Sequence, residues 1–176
     1  MPHKPAGSGQ GPAVFSLVGP ARIDEVLELY RGLTGVPGCG WNEHYPTREF
    51  VEADVAAGAL FGLFDARARL VAVATVSGEP DVPEDVAWDP AIRRPCTLSR
   101  VAVRRDRLGC GLGGRILRRA LRAAQGRGFD GVRLLVRTDY PSAQRLYLKA
   151  GFHEVGTVFA HGFDFYCYER GLAQTH

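Results

Sequence analysis

Residues 107–117 read RLGCGLGGRIL, with Gly109, Gly111, Gly113 and Gly114 directly before an apolar, arginine-rich stretch of helical spacing. Glycine lets a backbone approach a bulky anion with no Cβ in the way. The first N–H groups of a helix have no partner within it, and the helix dipole draws negative charge to that end. Strand 96–103, loop 107–114 and helix 112–125 therefore read together as a pyrophosphate cradle, formed by Leu108, Gly109, Cys110, Gly111, Leu112, Gly113 and Gly114. A glycine-rich turn with no ligand is the plainer alternative.

Gly109, Gly111 and Gly114 also spell G-x-G-x-x-G, the dinucleotide fingerprint. A dinucleotide fold places that pattern in its first β-α-β unit and adds several more units after it. Here the pattern comes late, with roughly 100 residues before the loop and only 62 after Gly114. Asp139 could imitate the ribose-binding acid, but the chain after it is too short to complete such a fold.

The elements that must hold this loop follow from periodicity. AVFSLV (13–18) reads as a first strand, and PARIDEVLELYRGL as a helix with Ile23, Val26, Leu27 and Tyr30 on one face. A loop rich in glycine, proline and aromatics (34–46) leads to a second helix, REFVEADVAAG, which Thr47 is placed to cap and Gly58 to end. ALFGLFD and RLVAVATVSG form a hairpin around 66–69, and 79–95 is too rich in proline for regular structure. In CTLSRVAV (96–103), alternation sends Leu98, Arg100 and Ala102 one way and Ser99, Val101 and Val103 the other. After the glycine loop comes a helix striped with Leu112, Ile116, Ala120, Leu121 and Ala124. GVRLLVR is a strand. PSAQRLYLKAG is a short helix with Pro141 first and Gly151 just past its end. Two strands then close in a hairpin around His161–Gly162. The order β-α-α-β-β-β-α-β-α-β-β predicts an α/β (α+β) fold. Its single mixed, mostly antiparallel sheet has about seven strands and is flanked by about four helices.

Composition bounds the rest. The 176 residues suffice for one domain with a real core, expected over 13–172 between a disordered tail (1–12) and a short end (173–176). A net charge of +3 is too mild to imply nucleic acid. Cys39, Cys96, Cys110 and Cys167 are scattered, with no C-x-x-C pair, so neither a metal site nor a disulfide framework is expected. No apolar run approaches a membrane span, and MPHKPAGSGQGP lacks the apolar core of a secretion signal. A reduced, cytoplasmic protein is the expectation.

SRVAVRRDRLGCGLGGRIL followed by YPSAQRLYLKAGFHEVG resembles the GNAT superfamily of N-acetyltransferases. Gly111 and Gly113 match the two glycines of that family's loop motif. Ala143, Leu146, Tyr147, Gly151 and Phe152 match its second motif at the right spacing. The likeness extends over about 13–172, and GWNEHYPTREFVEADVAAGALFGLF with LVAVATVSG resembles one prokaryotic branch. It implies acetyl-CoA as co-substrate, held where the strand before the loop splays from the next. Val101, Ala102 and Val103 would line the pantetheine arm, the loop amides would hold the pyrophosphate, and Tyr140 and Ala143 would complete the site from the second motif. One or more of Arg115, Arg118, Arg119 and Arg122 could reach the CoA 3′-phosphate, or all could be a solvated face. Two positions depart from the pattern. Leu108 stands where the family has Arg or Gln, a donor for which Arg105 and Arg107 are the candidate replacements, and Tyr140 stands where it has Asn.

Transfer of an acetyl group to an amine requires removal of the amine's proton, donors for the oxyanion and a proton for the departing thiolate. Tyr147 falls where the family keeps a tyrosine for the thiolate, although its helical stripe also fits a plain core residue. The Val101 N–H is the natural oxyanion donor. The strand before the loop carries no carboxylate, so Glu43 and His44, with Glu79, are the candidate bases, or water relays the proton. Trp41, His44 and Tyr45 could line a site for a small-molecule or peptide amine acceptor. No nucleic acid or membrane partner is expected, and a homodimer is left open. A non-catalytic acyl-CoA sensor and a nucleotide-independent interaction module are the alternatives.

Overall fold

The computed structural model describes residues 13–174; the expected tail 1–12 and the end of the expected tail 173–176 lie outside the described residues. The strands are β1 (Val14–Leu17), β2 (Leu60–Phe64), β3 (Leu70–Ser77), β4 (Pro95–Val103), β5 (Gly131–Arg137), β6 (His153–Ala160) and β7 (Phe163–Gly171). The helices are α1 (Ile23–Gly32), α2 (Arg48–Ala56), α3 (Leu112–Gly126) and α4 (Pro141–Lys149). The strands form one seven-stranded sheet in the order β1-β2-β3-β4-β5-β7-β6. All pairings are antiparallel except β4 with β5, as the crossover through α3 requires.

The central strands β2 and β3 are buried almost throughout, which is why LFGLF and LVAVATVS read as continuous apolar runs. α3 lays Leu112, Ile116, Leu117, Ala120, Leu121 and Ala124 on one face of the sheet, joined there by Tyr147 and Phe152. On the other face, α1 and α2 bury Val26, Leu29, Tyr30 and Val51 against Leu60, Phe64, Val73 and Ala102. The β2–β3 turn is held by the Asp65 carboxylate, which accepts the N–H groups of Arg67 and Arg69. His161 and Gly162, with φ of 52° and 81°, make the two-residue turn of the β6–β7 hairpin.

Two expectations need correction. Thr47 does occupy the position before α2, but its side chain makes no capping bond. The alternation along 96–103 breaks midway. Ala102 pairs with Val73 and Ser99 with Thr75, so Arg100 and Val101 share the single place opposite Ala74. This β-bulge moves Leu98 to the α3 side with Val101 and Val103, while Ala102 stays with α1 and α2. An inserted residue reverses the facing of everything beyond it, and simple parity cannot foresee that.

Candidate active site

The bulge and the loop define the site from two directions. β4 pairs with β5 only through Pro95–Gly131, Cys96–Val132 and Thr97–Arg133. Beyond these pairs β4 runs on to Val103 and β5 to Arg137, with no ladder between them. A bulge bends its strand and ends pairing, so the seam opens where Arg100 and Val101 crowd one position. Its mouth leads to the loop and the start of α3.

That start is built without caps. Gly109 and Gly111 have φ of 77° and 78°, a left-handed backbone that only glycine takes without strain. Gly111 precedes the helix with no side-chain cap, and no acidic residue lies in the first turn. The Arg115 N–H donates to the Gly111 carbonyl at 3.2 Å. The amides from Gly109 to Gly114 have no backbone or side-chain acceptor among the described residues. Leu112 is buried beneath them, and Gly113 lies against Leu146 and Val103, joining α3, α4 and β4 at the mouth. An open seam of unpaired ladder groups ending at free amides fits a ligand with an amide-bearing arm and a pyrophosphate.

Tyr147 stands on the same side of the sheet as Val101 and Val103, edge-on to Phe152 and Tyr168 at 5.7 Å and 6.5 Å between ring centres. Its ring is buried. Burial first, and then Tyr140, raises its phenol well above the usual tyrosine range, so the group keeps its proton. Ala143 packs at the edge of the same cluster. Tyr140 precedes α4, caps it with no side-chain bond, and lies against Gly38. Gln144 instead donates to the carbonyls of Arg137 and Thr138, both at 2.9 Å.

The charged candidates separate. Arg105 donates to the carbonyls of Gly32 and Thr34, and Arg107 to Asp65 at 3.2 Å. Both arginines proposed to replace the donor missing at Leu108 thus already have partners, and Leu108 itself is exposed. Arg118, Arg119 and Arg122 are exposed, and Arg115 is half-buried. Glu43 and His44 are exposed and lie 3.6 Å from each other. Glu79 is also exposed. Cys110 is exposed, with its thiol 3.9 Å from the Leu108 carbonyl.

A cluster that sequence reasoning missed lies on the opposite face, directly behind the bulge. Arg100 adopts φ of 49°, a conformation that costs a non-glycine residue about 1–3 kcal/mol. Its Nε and Nη2 donate to the two oxygens of Asp54, each at 2.9 Å, and its Nη1 donates to the Tyr45 hydroxyl at 3.2 Å. The Thr75 hydroxyl donates to Asp54 at 3.0 Å. The Arg100 guanidinium also sits 5.4 Å from the Phe50 ring centre. Tyr30, wholly buried beside Arg100, Asp54, Tyr45 and Thr75, carries a hydroxyl with no partner among the described residues and a pKa raised mainly by burial. The available signal was the one charged residue of the strand segment TLSRVAV; its partner could not be read from spacing along α2.

A seven-stranded sheet split beside a glycine-started helix is the architecture of a CoA-dependent transferase. The sequence model described as the acetyltransferase (GNAT) family matches residues 24–152, and the chain belongs to that family, whose co-substrate is acetyl-CoA. No curated protein matches the chain. Among solved structures, a GNAT-family acetyltransferase from Streptococcus agalactiae is 20% identical with a TM-score of 0.76, covering 92% of this chain and 96% of its own. The ribosomal-protein-S18-alanine N-acetyltransferase of Escherichia coli is 17% identical with a TM-score of 0.69, covering 94% and 97%. A protein from Salmonella typhimurium, solved with its cofactor acetyl-CoA, gives the same identity of 17%, TM-score of 0.69 and coverage of 94% and 97%. Among the described residues no helix is long and apolar enough to cross a membrane.

Proposed function

We propose that this acetyltransferase moves the acetyl group of acetyl-CoA directly onto a primary amine of a small molecule or peptide. The observation that carries this reading is the β4–β5 ladder, which stops at Thr97 and opens toward the free amides before α3. In this reading the backbone of Val101, Ala102 and Val103 pairs with the pantetheine arm as a missing strand would. The N–H groups of Gly109 to Gly114 hold the pyrophosphate, while that of Leu108 donates to the Arg105 carbonyl at 3.4 Å, so the side chain absent at Leu108 is not required. Tyr140 and Ala143 close the arm's far side. When bound, the thioester supplies an activated acetyl group.

The chain's own groups then do three things. The Val101 N–H donates to the acetyl carbonyl oxygen as negative charge grows there; a preorganised backbone donor is worth about 10²–10³ in rate. Tyr147, on the same face of the sheet as Val101, holds a proton at Oη for the departing thiolate. Glu43 and His44, from the loop over the α1 and α2 face, are our candidates for taking the amine's proton, directly or through water. Asp54 is bound at both oxygens by Arg100 and is not free for that work. The named activity of the E. coli neighbour keeps peptide N-termini among the acceptors to test.

The test begins with thermal unfolding in the presence of acetyl-CoA, CoA and NAD. A ligand at a hundred times its dissociation constant adds about 2.7 kcal/mol of stability. The expected result is a rise with both CoA ligands and none with NAD. Thiol release is then followed over small amines, amino acids and peptide N-termini. Tyr147→Phe should lower kcat about a hundredfold or more and leave the CoA-induced rise in place. Binding without turnover on any amine would favour an acyl-CoA sensor, and no rise at all would reject the nucleotide site.

A further inference from the structure

We propose that the Asp54–Arg100 pair is a clamp that sets the β4 bulge, and that both are positioning residues for the Val101 N–H. The inference rests on the acetyltransferase reading above. The peptide unit carrying the Val101 N–H begins at Arg100, so its direction follows from the Arg100 backbone. That backbone sits in the left-handed well, which an arginine leaves when nothing holds it there. What holds it comes from three elements. Asp54 on α2 takes both arms of the guanidinium fork at 2.9 Å, the geometry in which arginine and carboxylate bind most firmly. Thr75 on β3, facing Ser99 at the rim of the bulge, ties the same carboxylate to the neighbouring strand. Tyr45, from the loop before α2, accepts the remaining arm, and Phe50 covers the guanidinium face. The side chain of Arg100 is only 7% exposed and that of Asp54 12%, so water cannot readily take either partner's place.

The arrangement couples the two faces of the sheet through one residue. The Arg100 side chain is gripped on the α1 and α2 face. Its main chain turns the next N–H, and Val101 packs on the other face with Tyr147. If the pair is broken, the bulge relaxes toward ordinary extended backbone. The seam still admits CoA through the α3 amides, but the oxyanion donor is misdirected.

Asp54→Asn is compared with Glu169→Gln, which weakens the other buried arginine pair, Arg133–Glu169, whose arginine stands on regular β5 backbone at the last rung before the seam opens. Both are assayed by thiol release from acetyl-CoA with the best amine of the panel, and by thermal unfolding with and without CoA. Asp54→Asn should lower kcat at least tenfold, with KM for acetyl-CoA within threefold of the parent and the CoA-induced stabilisation retained. Glu169→Gln should lower the melting temperature and leave kcat within twofold. If Asp54→Asn does not fold, Arg100→Lys, which keeps the charge but cannot span both oxygens, should show the same loss of kcat at near-constant KM. The clamp is overturned if the folded variant keeps kcat within twofold, or if both pairs lower it alike. A parent protein with neither a CoA-induced shift nor turnover overturns the acetyltransferase reading and the clamp together; a parent with both leaves the variants to decide the clamp alone.

Discussion

Two arginine–carboxylate pairs are buried in this sheet, and they do different things. Arg133 on β5 donates to Glu169 on β7 at 2.7 Å, and the other oxygen of Glu169 accepts the Asp89 N–H at 2.8 Å. Arg133 also covers the Trp88 ring at 5.0 Å. That pair therefore fastens the irregular excursion 79–94 to two strands that pair with each other without a bulge, from Gly131–Gly171 to Arg137–Phe165. The Arg100–Asp54 pair has the same chemistry, but its arginine stands at a bulge with positive φ, where the ladder to β5 has ended. One pair holds a loop down, and the other holds a strand out of regular shape. Burial and distance do not distinguish them; the backbone beneath each arginine does.

The largest effect expected is on stability, and it should be similar at the two sites. Removing one partner of a buried pair strands the other charge, which destabilises by about 3–5 kcal/mol. For a chain of this length that is a fall of roughly 10 °C in melting temperature. Asp54→Ala and Glu169→Ala should both show it in thermal unfolding. Below the melting transition they should part: Glu169→Ala keeps thiol release near the parent rate, and Asp54→Ala loses it. Equal activity loss in the two would erase the difference drawn above.

The contrast also marks what the sequence could and could not disclose. Periodicity carried α3, with its stripe from Leu112 to Ala124, and unbroken apolar character carried β2 and β3, which are buried on both faces. The glycine loop was legible because positive φ at Gly109 and Gly111 demands a residue type that stands out in the chain. The bulge was not, since Arg100 takes the same kind of backbone without being glycine, held there by contacts with residues distant in sequence. Parity then misassigned Leu98. Nothing in the spacing of α2 singles out Asp54, and only the tertiary fold brings it against Arg100. Likewise Arg105 and Arg107 were plausible anion donors until the fold gave them Gly32, Thr34 and Asp65 as partners.

An intermediate effect separates the two jobs of Arg100 itself. Arg100→Ala and Arg100→Gly both delete the clamp, so both should lose the same large share of kcat. They differ in the backbone, because alanine keeps the left-handed penalty and glycine does not. Arg100→Gly should therefore be more stable than Arg100→Ala by about 1 kcal/mol, read from denaturant midpoints at equal slope. The order would reverse at Arg133, an ordinary strand position, where glycine adds only chain entropy to the unfolded state. Finding alanine the better residue at both positions would mean that the bulge does not persist in solution.

The smallest effect belongs to a pair that shares the chemistry but not the burial. Arg104 donates to Asp106 at 3.1 Å and 3.2 Å beside the loop, and the Asp106 side chain is 56% exposed. Its carboxyl is held below the usual range, chiefly by the hydrogen bond from Arg104. A carboxyl depressed in the folded state adds stability above its unfolded pKa of about 3.9, and that stability is lost as pH falls through the folded value. Exposure and salt screening keep the gain below about 1 kcal/mol. Asp106→Asn should thus lower stability slightly at pH 7, by less at high salt, and not at all in acid below the depressed pKa. Asp54→Asn, whose pair is shielded from solvent, should keep most of its deficit in the same salt series. The salt dependence of two matched Asp→Asn changes therefore measures how far burial, and not the ion pair as such, gives Arg100 its hold on the bulge.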